Sequence, residues 1–303
     1  MPANIIQIKR INESLYLLNE NIREGAYITM MLDIGKEKAA LIDTGMGVSG
    51  DLDAVIHSIT DKPVICLLTH CDPDHAGGAA LFDDIYMSSL DEPLMKNSLS
   101  YRARSLMVRN MTDSDEVRRC VKESMVRKGR FDYHNVIDGD VFDLGGCKLE
   151  AVSLGGHTKG SMCYIDRAGK YIFSGDSIAN ANSAVLFFDK CLPLSAYRNN
   201  LAQFLQFTGQ DVDIYSGHAT DSLDSRIIPE LLILCDEIIA GDTADDAPYV
   251  PPFLQTLPEK SIKGVIRNAM LGIVAKMQFG SARPMEHTKP GFLASVKYNA
   301  NKI

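Results

Sequence analysis

Short apolar segments closed by polar or glycine-bearing turns recur along most of the chain. "AYITMMLDI" (26–34) and "KAALIDTG" (38–45) are rich in β-forming residues and separated by a turn, which predicts a hairpin. "SGDLDAVIHSIT" then changes to helical spacing, with Leu52, Val55 and Ile56 on one face and Ser49 as the expected cap. Pro63 opens the strand "VICLLTH", and "AGGAALF" reads as a helix beginning within a few residues of His75. From 89 to 131 the pattern is helical by propensity, without a convincing strand, and is read as an inserted helical segment.

Strand patterns return in "VFDLGGCKLEAVSLGGH", "SMCYIDRAGKYIFSGD" and "VDIYSGH", the first two broken by glycine turns. The helix "SAYRNNLAQFLQF" lies between the last two, and "DSRIIPELLILCDEIIAG" follows them with Pro229 in its first turn. Alternation of this kind predicts helices layered over sheet. Residues 241–259, rich in Asp, Ala and Pro, read as a linker, followed by the helix "SIKGVIRNAMLGIVAK" and the strand "GFLASVKYNANKI". That terminal pair is read as either extending the sheet or making a homodimer contact.

Composition narrows the class. No apolar run in the 303 residues reaches the roughly 18 to 20 that a spanning helix needs, so no membrane partner is expected. The N-terminus has no basic segment leading into an apolar run and a cleavage site, and seven scattered cysteines include no CxxC pair. Both point to reduced thiols and a cytoplasmic protein. A net charge of −8 argues against nucleic acid as a general partner.

The chemistry concentrates at strand ends. "LLTHCDPDHAGG" sets His70, Asp72, Asp74 and His75 in one strand-to-helix loop. His157 in "LGGHTKGS", Asp176 in "FSGDS" and His218 in "YSGHA" each close another strand pattern, making seven potential metal donors. A lone histidine in a loop is usually a surface or hydrogen-bonded residue; seven aligned candidates reverse that expectation.

With these motifs in this order, the chain resembles the metallo-β-lactamase superfamily over roughly residues 14 to 240, and most closely its glyoxalase II-like hydrolase branch. The resemblance implies an α/β fold, a four-layer αββα sandwich, here carrying the helical insert at about 89–131. Residues 1–240 would form that domain, and 241–303 a linker and helix/strand extension packed on it. It further implies two divalent metal ions, one on His70, residue 72 and His157, the other on Asp74, His75 and His218, with Asp176 bridging. A hydroxide held by both metals would attack the substrate, Asp74 would orient it as well as ligate, and Asp43 of "LIDTG" would support the site from behind the ligands. His57, His134 and His287 match no position of that pattern.

Asp72 departs from it, because the family's signature has histidine there. A carboxylate is a harder donor than imidazole, which brings iron and manganese into consideration beside zinc. Flavodiiron proteins use a carboxylate at this position too, but theirs is a glutamate, and they carry a flavodoxin-like domain that the residues after the linker are not expected to supply. The expected activity is hydrolysis of a small, anionic ester, thioester, lactone or phosphoester. Two alternatives stay open: a diiron oxidoreductase for oxygen or nitric oxide served by a separate electron donor, and a non-catalytic ligand-binding protein.

The insert bears on the substrate. Residues 93–131 hold ten Lys or Arg against four acids, in a chain that is acidic overall. They are either a solvated helical face or a cap that attracts an anion. On the second reading Arg102, Arg104 and Arg109 contact substrate, as do Thr158, Lys159 and Ser161 beside His157. Cys71, between two ligand candidates, is read as a packing residue.

Overall fold

The computed structural model describes residues 5–207, 211–250 and 282–303, which divide into two compact units. The first contains the described residues as far as Leu154, Gly160–Ala181 and 211–225. The second contains Gly155–Lys159, 182–207 and the described residues from Arg226 onward.

In the first unit β1 (Ile6–Arg10), β2 (Leu15–Arg23), β3 (Ala26–Ile34), β4 (Ala39–Ile42), β5 (Val64–Leu67), β6 (Ile85–Met87) and β7 (His134–Asn135) form one sheet in chain order. Pairing is antiparallel from β1 to β4 and parallel from β4 to β7. The predicted hairpin is β3 and β4, and "VICLLTH" supplies β5. β1 and β2 have no counterpart in the hydrophobic pattern: Asn19 and Glu20 are buried mid-strand in β2 and break its alternation.

The second sheet of this unit comprises β8 (Val141–Asp143), β9 (Lys148–Ser153), β10 (Met162–Asp166) and β11 (Tyr171–Gly175). β12 (Ser183–Leu186) leaves for the second unit, and β13 (Asp213–Ser216) returns to pair with β11 in parallel. Leu15, Leu17, Ile42 and Leu67 of the first sheet share one core with Leu149, Ala151, Tyr164 and Phe173 of the second. The two sheets therefore pack face to face, each fully buried Leu contributing about 1.5–3 kcal/mol.

Helices cover the outer face of the larger sheet. α1 (Leu52–His57), α3 (Glu92–Ser98), α4 (Tyr101–Met111) and α5 (Asp115–Glu123) bury Ile56, Leu99 at the end of α3, Val108 and Val121 against Ile22, Met30, Leu32 and Cys66, while α2 (Pro73–Ala76) is a single turn. The insert is thus three helices, and serines at 100 and 114 cap the last two by accepting the N–H of Ala103 and Val117. α1 differs from expectation: it begins after Asp51 rather than at Ser49, whose hydroxyl turns onto the Asp51 carboxylate. "AGGAALF" is likewise shorter than a regular helix, reduced to α2 and a 3₁₀ turn over Ala79–Leu81.

Two buried charges tie the insert to the loop after β4. The Glu20 carboxylate accepts the N–H groups of Met46, Val48 and Ser49 at 2.7, 2.7 and 3.2 Å. Burial pushes its carboxyl above the ordinary value while these donors pull it back. Arg104, with no exposed surface, donates to the carbonyls of Leu99 (3.0 Å), Met46 (2.6 Å) and Val126 (2.6 Å). Burial also lowers its guanidinium to about 10.

The second unit holds α6 (Leu194–Ala202), α7 (Ile227–Ala240), and a sheet of order β12-β16-β15-β14, with β14 (Ala247–Pro248), β15 (Pro284–Thr288) and β16 (Ser295–Asn299). Pro229 stands in the first turn of α7, as expected, and Gly241 ends that helix at φ 86°. The terminal strand is an inner strand of this sheet, parallel to β12 and antiparallel to β15. The helix expected over 261–276 lies outside the described residues. No helix among the described residues is long and apolar enough to cross a membrane.

Candidate metal centre

The site begins where β4 stops. Asp43 takes φ 61°, a conformation unfavourable for a residue with a Cβ, and turns its carboxylate back under the "THCDPDH" loop. One oxygen accepts the Thr69 N–H at 2.7 Å; the other accepts the Thr69 hydroxyl and the His75 Nδ1–H, both at 2.7 Å. With its proton on Asp43, the Thr69 oxygen, 3.0 Å from His70 Nδ1, accepts that ring N–H. A single carboxylate therefore orients two imidazoles, one directly and one through a hydroxyl, and both are left to present Nε2.

The loop then enters α2. Asp72 stands at its N-cap, Pro73 opens it, and Asp74 and His75 lie on its one turn. His70 and His75 lie with ring centroids 4.0 Å apart, and Asp72 Oδ2 is 3.5 Å from His70 Nε2. Beyond β13, His218 donates its Nδ1–H to the Tyr27 carbonyl at 2.7 Å and turns Nε2 to Asp176 Oδ1 (3.4 Å) and Asp74 Oδ2 (3.5 Å). Asp176 Oδ1 also lies 3.6 Å from His75 Nε2, while its Oδ2 accepts an N–H of Asn180 at 2.9 Å.

Small residues make this convergence feasible. A Cβ on Gly217 would fall 2.4 Å from the His75 ring and 2.7 Å from Asp176 Oδ1; one on Gly175 would fall 2.2 Å from the Thr69 hydroxyl. The glycines of "FSGDS" and "YSGHA" are therefore required by what their neighbours must reach.

These donors suit a divalent cation. One ligand atom each from His70, His75 and Asp176, and from Asp74, His75 and His218, lie within 4.8 Å of one another. The Nε2 atoms of His75 and His218 are buried, make no hydrogen bond, and face carboxylate oxygens at distances longer than a hydrogen bond. Imidazole nitrogen with carboxylate oxygen is a donor set for zinc, iron or manganese.

Without metal, protons take the cation's place. Burial pushes the His75 imidazole down, but Asp43, Asp176 and Asp74 together outweigh it and raise the group to about 10. For His218 burial is likewise overcome, chiefly by Asp176, giving about 9. Both values lie above the ordinary 6.5, so the stability these charged rings lend the metal-free protein is fully present below pH 6.5 and is lost as pH rises through 9 to 10. Metal uptake must displace those protons: zinc titrated into metal-free protein at pH 7.5, in buffers of different ionisation enthalpy, should release about two protons per chain from these two rings. Buffer-independent heats would contradict this protonation state.

The remaining candidates differ in their surroundings. His157 belongs to the second unit, where its Nδ1–H goes to the Val185 carbonyl at 2.7 Å, its ring meets Phe188 edge-on, and Lys190 Nζ lies 3.3 Å from Nε2. Thr158 and Ser161 are buried, whereas Lys159, Arg102 and Arg109 are exposed. Arg104 is corrected: its buried guanidinium is engaged by three carbonyls and is not presented to a substrate. Cys71 is buried in the core shared with the insert, as a packing residue would be. Thr69 was missed by sequence reasoning, although it directly precedes His70 in the motif.

A sandwich of two sheets with histidines and aspartates gathered at strand ends defines a class of metal-binding α/β proteins. Residues 26–218 match the family model described as the metallo-beta-lactamase superfamily, and the chain belongs to that superfamily. It is 27% identical over 186 residues to the bovine (Bos taurus) acyl-coenzyme A thioesterase MBLAC2, covering 56% of this chain and 65% of that protein. It is 29% identical over 155 residues to a hydroxyacylglutathione hydrolase of Ruegeria pomeroyi, covering 49% and 58%. Among solved structures, a metallo-beta-lactamase from Pontibacter korlensis superposes with TM-score 0.55 at 18% identity, over 76% of this chain and 99% of that one. The fold is thus that of the superfamily, while this chain spans less than two thirds of the two curated relatives.

Proposed function

We propose that the protein is a metal-dependent hydrolase of small thioesters built on an anionic thiol. The observation that carries this reading is the convergence of His75 and His218 Nε2 on Asp176 and Asp74, with each ring's Nδ1–H already committed behind it. We further assign His70 and Asp72 to the same centre, which then holds two divalent ions, and Asp72, as a hard donor, shifts its preference toward iron or manganese. When bound, the metal supplies a hydroxide at neutral pH and charge stabilisation for the developing oxyanion.

The chain's own residues do the rest. Asp43 and Thr69 fix the rings so that no reorganisation is needed at the moment of reaction. Asp74, partly exposed and with Oδ2 3.5 Å from His218 Nε2, would help to hold the metal and could accept a hydrogen bond from the attacking oxygen, orienting it. Cys71 is buried, and hydrolysis of this kind needs no protein nucleophile. Arg102, Arg109 and Lys159 are exposed cations that favour an anionic substrate by attraction. The two relatives support the thioester class, since one is named an acyl-coenzyme A thioesterase and the other a hydroxyacylglutathione hydrolase.

The test is thiol release from acyl-coenzyme A and S-acylglutathione, with an oxygen ester and a phosphoester alongside. Hydrolysis of the thioesters that is lost on chelation and restored by added metal is the expected result. Metal-loaded, folded protein that leaves every ester intact while showing a reducible diiron spectrum would overturn it in favour of redox chemistry.

A further inference from the structure

A buried carboxylate at the start of the helical insert acts on the candidate metal centre from outside it. Asp91 immediately precedes α3 and is 1% exposed. Its Oδ2 accepts the backbone N–H of Cys71 at 3.1 Å, and its Oδ1 accepts that of Gly160 at 2.8 Å. Cys71 is the residue between His70 and Asp72, so this bond fixes the His70–Cys71 peptide, next to the Cα of His70 and one residue ahead of Asp72. Gly160 leads into β10, and the neighbouring Met162 N–H goes to the Thr69 carbonyl at 2.8 Å. The His70–Asp72 segment is thereby held against β10 from two sides, by a strand-like bond at Thr69 and by Asp91 at Cys71.

The approach at Gly160 excludes a side chain there. A Cβ would fall 2.8 Å from both the carboxyl carbon and Oδ1 of Asp91. Both oxygens are used, each on a different segment. Asparagine cannot imitate this, because its single acceptor oxygen serves one N–H and its amide hydrogens would meet the other.

We infer that Asp91 is a positioning residue: it sets the geometry of His70 and Asp72, so that the insert governs how firmly that half of the centre holds metal. The inference rests on the metal-hydrolase reading above. It makes the halves of the centre separable, because His75 is oriented through Asp43 and His218 through Tyr27, and neither they nor Asp74 has a hydrogen bond to Asp91 among the described contacts.

The test is cobalt titration of the metal-free full chain, followed by absorption spectroscopy and by metal content per chain, for wild type, Asp91→Asn and Gly160→Ala. Gly160→Ala retains the carboxylate and displaces it, so it reports on the same contact if Asp91→Asn fails to fold; circular dichroism monitors folding. In both variants one cobalt equivalent should bind as in wild type and the other should weaken by about 10- to 100-fold, the usual cost of removing a support behind a ligand. Folded variants that titrate like wild type, or that lose every equivalent equally, overturn the positioning role. A wild type that binds no cobalt overturns the underlying metal reading, and this inference with it.

Discussion

On the proposed metal-hydrolase reading, Asp176→Asn should lower kcat/KM for the thioester by roughly three orders of magnitude or more while leaving the fold intact, because a hydroxide available at neutral pH would depend on the metal that this carboxylate would help to hold. Asp176 Oδ1 is the atom on which two histidines converge, at 3.4 Å from His218 and 3.6 Å from His75. Asparagine has nearly the same shape and can still meet Asn180, so packing changes little. What it removes is the charge between the buried Nε2 atoms of two imidazoles, and an amide oxygen is a far poorer partner for a divalent cation. Steady-state kinetics beside thermal unfolding separate the two effects. A variant that keeps its melting temperature and loses less than about tenfold in rate would remove Asp176 from the centre of the mechanism.

Arg104→Met should produce the largest loss of stability of any single change to the insert, about 3–5 kcal/mol. The side chain is fully buried, and its removal strands the carbonyls of Leu99, Met46 and Val126. It also withdraws the positive charge that favours ionised Glu20, itself buried and holding the Met46–Ser49 backbone. A chain of this size should lose on the order of 10 °C in melting temperature. Arg104→Lys, which retains the charge but not the planar fork, should fall between. If the methionine variant unfolds within about 1 kcal/mol of wild type, the guanidinium is not the clamp described here.

The contrast between Arg104 and Asp176 shows what the sequence makes legible. Asp176, His218 and the "THCDPDH" cluster follow apolar β patterns directly, and a charged or imidazole side chain at the end of a buried strand has few uses other than chemistry. Arg104 sits in a run of basic residues, and nothing in residue type distinguishes the one that turns inward from Arg102 and Arg109, which stay exposed. Thr69, Asp91 and Gly217 were illegible for a different reason. They act through a relayed hydroxyl, through backbone N–H groups distant in sequence, and through the lack of a side chain. Asp43 was reached only through the family resemblance, since its role depends on a left-handed backbone turn that no periodicity reveals. The strands followed the same division. Local hairpins were visible, whereas β12 and β16 pair across more than a hundred residues and could not be joined by pattern alone.

Metal content per chain, measured by mass spectrometry on protein purified without added metal and on its Asp72→His variant, tests the central claim most directly. The account predicts two equivalents rich in iron or manganese in the parent, shifting toward zinc once the hard carboxylate at 72 becomes an imidazole. A folded parent that retains no metal yet hydrolyses thioesters at full rate in the presence of a chelator would contradict it.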